Sequence, residues 1–198
     1  METLLALLSF AIATSITPGP NVLMVASGAA RSGIGAVMPM MLGITLGFGL
    51  MLMVVGAGLA MPLAASSTIH LAMKWAGAAW LCWLAWKIAS APVGEEKEAQ
   101  PPLGFLGAAA FQWINPKAWM IALAALPTFT LPGVSMLPMS GIIALTFICV
   151  CFPSLLVWAL LGQGIRGILL QPARARAFNI AMGVLLMASV VPGLMAGE

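Results

Sequence analysis

The chain has no aspartate and no tyrosine, a single histidine, and only five acidic residues in 198. Those acids, Glu2, Glu95, Glu96, Glu98 and Glu198, sit at the termini or in one short polar stretch, so no apolar segment interior holds a carboxylate. Charged residues are 7% of the sequence, where a soluble domain carries about 25%. That deficit excludes an ordinary soluble globular protein. The lack of any basic run excludes a nucleic-acid footprint. Cysteine is scarce too. Cys82, Cys149 and Cys151 fall inside apolar stretches, Cys149-x-Cys151 has neither redox nor zinc spacing, and no histidine or acid lies near it. No metal or cofactor is expected, and the three thiols read as small packing residues. No phosphate-binding loop occurs either, so this polypeptide does not use ATP directly.

What the chain has in abundance is apolar length, with 62% of its residues hydrophobic. A spanning helix needs roughly 20 apolar residues. About six such stretches can be counted, at 3–26, 35–61, 71–89, 104–127, 137–164 and 178–191. The expectation is an all-α membrane protein of about six transmembrane helices, one transporter domain over 1–198, with the lipid bilayer as its partner. The first stretch lacks a basic leader and contains Pro18-Gly19-Pro20, so it reads as a span and not as a signal peptide. Residues 91–102, with Glu95-Glu96-Lys97-Glu98 and Pro101-Pro102, read as a solvated loop. Cations near helix ends set orientation. With both termini outside, Arg31, Lys87, Lys97, Arg166, Arg174 and Arg176 gather on the cytoplasmic side against Lys74 outside, and Lys117 is left at bilayer depth. The expected topology is N-out and C-out, in a bacterial-type cytoplasmic membrane.

The loop divides the stretches three and three, with half 1 at about 1–90 and half 2 at about 103–198. An odd number per half makes the halves enter the membrane from opposite sides. The first stretch of each is interrupted by proline: Thr17-Pro18-Gly19-Pro20-Asn21 in one, Asn115-Pro116-Lys117 in the other. Paired interruptions at corresponding positions point to a secondary-transporter site. Prolines that merely kink each helix are the plainer alternative. Threonine and asparagine favour N-caps, and proline favours the first helical position. Thr17-Pro18 and Asn115-Pro116 therefore each read as a cap opening a new half-helix. Such an end carries unpaired N–H groups and positive dipole character, and two of them facing each other suit a carboxylate. Gly19 allows a close backbone approach. A lysine at depth costs roughly 2.5–3.5 kcal/mol on insertion scales, which marks Lys117 as functional. The candidate substrate-binding residues are Thr17, Pro18, Gly19, Pro20, Asn21, Asn115, Pro116 and Lys117.

At these residues the chain resembles the LysE/RhtB family of amino-acid exporters. That family carries Pro-Gly-Pro-Asn in its first span, matched by Pro18-Gly19-Pro20-Asn21. It carries Asn-Pro-Lys in its fourth, matched by Asn115-Pro116-Lys117, with Pro127 and Phe129 following downstream. Gly33, Gly43, Gly47 and Gly56 fit, as does Trp75-Ala76-Gly77-Ala78-Ala79, and the resemblance covers essentially the whole chain. The third stretch through Trp86-Lys87-Ile88-Ala89, together with Thr128-Phe129-Thr130-Leu131-Pro132, is most similar to the cysteine/O-acetylserine exporter branch. The resemblance implies amino-acid export by proton antiport and no enzymatic activity. There is one departure. Many members place a histidine or an acid in the second span, where this chain has Phe48-Gly49-Leu50-Met51 and no ionisable group.

The missing carboxylates limit the substrate. A dibasic amino acid would bring a side-chain cation with no buried anion to meet it, and unpaired buried charge is expensive. Small neutral amino acids or derivatives, such as cysteine, O-acetylserine, threonine or homoserine, are expected instead. Their carboxylate would meet Lys117 and the half-helix N–H groups. Their ammonium would meet carbonyls freed at the breaks, Asn21, or the face of Trp113 or Trp119, although packing is the alternative role for the tryptophans. Lys117 is the main titratable candidate for proton coupling, with a static counter-charge as the alternative. Gly43-x-x-x-Gly47 reads as a helix-packing signal. Two competing functions are weaker. A membrane thiol–disulfide carrier would need a proline-flanked cysteine in each half, and a passive channel would need polar stripes. Monomer and homodimer both stay open.

Overall fold

The computed structural model describes residues 2–58, 67–90, 101–130, 135–165, 167 and 171–188. Most of the expected linker (91–100), residues 131–134, Arg166 and the C-terminal ends of the second and sixth apolar stretches lie outside the described residues. Among the described residues the chain is helical with no strand. The helices are α1 (Glu2–Ile16), α2 (Pro20–Ser32), α3 (Ile34–Gly56), α4 (Ser67–Ala89), α5 (Phe105–Phe111), α6 (Pro116–Phe129), α7 (Met136–Gly164) and α8 (Pro172–Ala188).

Both expected interruptions are present as breaks. α1 and α2 together are long and apolar enough to cross a membrane, but they meet at 52°. Proline explains the break locally: Pro20 has no N–H to give back to the preceding turn and fits the first position of a new helix. The start of α2 differs from expectation in one respect. Its N-cap is Gly19, in fully extended backbone and without a side-chain cap, and Pro20 rather than Pro18 opens the helix. Thr17 is not a cap. Its hydroxyl and its N–H both donate backward to the Ala13 carbonyl, just past the end of α1. The second break follows the sequence closely. Asn115 is the N-cap of α6, its side chain accepts from the Lys117 N–H, and Pro116 is the first helical residue. Between α2 and α3 the chain turns at Gly33, whose φ of 83° favours glycine.

By length and composition alone, α3 and α7 each suffice as a span, and the bent α1–α2 pair is a third. These are spans among the described residues; of the other stretches, α5 and α6 are short pieces parted by a turn, and Ala78–Ala89 of α4 is a shorter apolar run. On α3, Leu42, Leu46 and Leu50 are exposed at four-residue spacing. A leucine stripe of this kind suits contact with lipid.

The packing is reciprocal. α3 lies along α7, and α4 lies along α8. The broken α1–α2 pair rests on α7, while the broken α5–α6 pair rests on α3. Gly43 and Gly47 form the groove for α5: a Cβ on Gly43 would stand 2.2 Å from the Phe105 carbonyl oxygen, and one on Gly47 2.5 Å from Ala109 Cα. The helix-packing reading of that motif is therefore correct.

Among the described residues the apolar interior falls into two clusters. One gathers Val22, Leu23, Val37, Met41, Ile44, Leu155 and Leu186 with their neighbours. The other gathers Leu7, Phe48, Met51, Trp119, Leu126, Ile143 and Phe147. α3 changes cluster between Ile44 and Phe48, and α7 between Phe147 and Cys151. The boundary between the clusters thus lies part-way along both long helices.

Candidate functional site

At that boundary the two breaks meet. Asn21, one residue into α2, donates from Nδ2 to Gln112 Oε1 at 2.9 Å, and Gln112 Nε2 returns a bond to Asn21 Oδ1 at 3.3 Å. Asn115 Nδ2 reaches the same Asn21 oxygen at 3.4 Å. Gln112 also donates to the Ala108 carbonyl at 2.9 Å, so its amide is anchored to α5. Gln112 and Asn115 are both buried. Buried amides need partners, and these three find them in one another.

Lys117 is half-buried and turns toward the first break. Its Nζ donates to the Thr17 carbonyl at 2.8 Å. Its aliphatic stem runs past Gly19, where an added Cβ would stand 2.9 Å from Lys117 Cδ. The neighbouring carbonyl, Ile16, accepts from Trp158 Nε1 of α7 at 3.0 Å. The C-terminal end of α1 is thus held by two donors from the other half of the chain. The last carbonyls of a helix have no partner within it, and these two have found theirs on α6 and α7.

The two new helix starts are unequal. At α6 the first N–H groups are used: Lys117 N–H goes to Asn115 Oδ1, and those of Ala118 and Trp119 go to the Asn115 carbonyl. At α2 the N–H groups of Asn21 and Val22 have no partner among the described residues. The sequence pattern anticipated two open helix ends, and only the one without a capping side chain is open.

A recess of about 450 Å³, counted with its open mouth, lies between these elements. Thr17, Gly19, Pro20, Asn21, Asn115 and Lys117 line it; Pro18 and Pro116 do not, because they turn the chain on either side. Lys117 is its one charged lining residue among the described residues.

A family model described as LysE type translocator matches residues 12–191. The chain belongs to this family. It is 36% identical over 190 residues, covering 90% of this chain and 91% of the relative, to a cysteine/O-acetylserine efflux protein of Salmonella paratyphi A. It is 35% identical over 191 residues, with the same coverage, to a cysteine/O-acetylserine efflux protein of Escherichia coli strain K12. No solved structure matches the chain. The protein is a multi-pass membrane translocator, not an enzyme.

The translocator's recess includes residues that sequence reasoning passed over. Gln112 stands at the centre of the amide cluster. A polar side chain three residues before the Asn115 cap, in an apolar run, was the signal for it. Phe48 lines the recess where many relatives were expected to carry an ionisable group. Cys151, read from sequence as a packing residue, packs in the first apolar cluster and also faces the recess. The alternative ammonium role for Trp113 and Trp119 is not supported. Neither lines the recess; Trp119 Nε1 donates to the Trp113 carbonyl at 2.8 Å, and the rings pack edge to face.

Proposed function

We propose that the chain exports small neutral amino acids or their derivatives, such as cysteine, O-acetylserine, threonine and homoserine, from the cytoplasm across a bacterial inner membrane. The observation that carries this reading is the convergence of Lys117 Nζ with the unpartnered Asn21 and Val22 N–H groups on one recess. A cation beside an open helix N-terminus is matched to a carboxylate. Among the described residues the lining has no anion to receive a second cation. The names of the relatives point to the same substrate class.

The transport cycle is that of a carrier. The recess lies between two apolar clusters, and each would serve as a plug that opens in turn. The reciprocal packing of the broken pairs on α3 and α7 supports two inverted halves, hence six spans with both termini outside. Proton antiport supplies the energy, and Lys117 is the group that exchanges proton and substrate. The cells to compare are those with and without the gene, exposed to each of the four compounds. Resistance and lower internal concentration with the gene are expected. Protection against lysine or arginine alone would contradict the neutral-substrate reading.

A further inference from the structure

Lys117 does not stand free in the recess. Its ammonium is docked on the Thr17 carbonyl, at the negative end of α1. A free amino acid carries the same chemical group, a primary ammonium, one carbon away from its carboxylate. The Thr17 carbonyl and the open N–H groups of Asn21 and Val22 lie on opposite sides of the Gly19 break, so acceptor and donors for the two ends of a zwitterion are neighbours along the chain. Trp158 holds the adjacent Ile16 carbonyl and keeps the end of α1 in place when Thr17 changes partner.

We propose that the Thr17 carbonyl is the subsite for the substrate ammonium, and that Lys117 occupies it in the empty protein. The arriving ammonium takes the carbonyl. Lys117 Nζ, released, pairs with the carboxylate of the same molecule at the start of α2. The exchange replaces one ammonium by another on one acceptor and creates one ion pair, so no charge is left without a partner. It deepens the export reading and rests on it. It also predicts selection for an α-amino acid over its fragments. An acid without an amine leaves Lys117 on Thr17. An amine without an acid displaces Lys117 and leaves two like charges together.

Three probes separate the groups: cysteine, 3-mercaptopropionate (no amine) and cysteamine (no acid). They are titrated under reducing conditions into the full chain in lipid nanodiscs. Wild type is expected to bind cysteine at least about tenfold tighter than either fragment, the scale of one charge-assisted hydrogen bond. Gly19→Ala is the decisive variant. Gly19 has extended backbone that alanine accepts, and the three atoms nearest the new Cβ all belong to the Lys117 side chain, Cδ at 2.9 Å first. It therefore shifts Lys117 off Thr17 without changing charge. Cysteamine is expected to bind roughly three- to tenfold tighter in this variant, and tighter still in Lys117→Met, where cysteine weakens.

Tightening in Lys117→Met without any in Gly19→Ala is simple charge repulsion and overturns the exchange. So does 3-mercaptopropionate binding as tightly as cysteine in wild type, a comparison that decides the matter even if Gly19→Ala does not fold; either result leaves export itself standing. Failure of cysteine to bind wild type, and of O-acetylserine, threonine and homoserine titrated in the same way, overturns the export reading and this inference together.

Discussion

Asn21 and Gln112 form a reciprocal amide pair, 2.9 Å in one direction and 3.3 Å in the other, that ties the start of α2 to the turn between α5 and α6. The pair joins the two breaks beside the Lys117–Thr17 bond, and Asn115 extends it to the start of α6. Through it, the geometry of one half-helix start is fixed by the other. A buried amide cluster is stable only when every member is satisfied, so losing one member affects both breaks.

Gln112→Leu tests this coupling. It removes the partner of Asn21 and a donor to the Ala108 carbonyl. Destabilisation of about 1–3 kcal/mol is expected from the polar groups left unpaired, with efflux reduced. Thermal unfolding in detergent beside an efflux assay measures both. Unchanged stability and rate would show that the cluster is incidental.

Asn115 has two roles that substitutions can separate. Asn115→Ala loses the cap of α6 and the contact to Asn21, and a cap is worth about 1 kcal/mol. Asn115→Ser keeps a capping oxygen but is too short to retain the amide contact. Serine is expected to recover most of the stability lost in alanine and little of the transport. Equal transport in Asn115→Ser and wild type would confine Asn115 to capping.

Gly43→Ala is expected to push α5 off α3, because even a methyl group would stand 2.2 Å from the Phe105 carbonyl oxygen. Folded yield and transport should both fall. Gly35→Ala is the control. Beyond its own turn, no described residue lies within 4 Å of its Cβ position, and alanine in a helix is favoured over glycine by roughly 0.5–1 kcal/mol. Yields from parallel preparations compare the two, and equal behaviour would argue against the groove.

The breaks were legible in the sequence because proline acts locally: it removes an N–H and fixes φ wherever it stands. Asn115 was legible for the same reason, since a cap bonds within its own turn. What lay beyond the local chain was not. Thr17 differs from expectation because two prolines, Pro18 and Pro20, can each open a helix, and the local sequence does not say that the second does. Gln112 and Cys151 face the recess through helix rotation. In an apolar span the lipid face and the buried face have similar composition, as Leu46 and Met41 on α3 illustrate, so the sequence carries little signal of rotation.

Cys151 offers a direct view of occupancy. With Cys82→Ser and Cys149→Ser in place, Cys151 is the sole thiol, and it lines the recess. Homoserine or O-acetylserine is expected to slow its labelling by a small membrane-permeant thiol reagent in a saturable way. Labelling rates measured by mass spectrometry report this, and rates indifferent to every candidate substrate would place the substrate elsewhere.

Lys117 links the end of α1 to the start of α6 and supplies the positive charge of the recess. The most direct test is cysteine transport by proteoliposomes under an imposed pH gradient, comparing wild type, Lys117→Arg and Lys117→Met. Wild type is predicted to move cysteine uphill. Lys117→Met is predicted to lose transport, and Lys117→Arg, which keeps the charge but holds its proton, to lose coupling to the gradient. Full uphill transport in Lys117→Met would contradict the account at its centre, and full coupling in Lys117→Arg would remove the proton-exchanging role of this lysine.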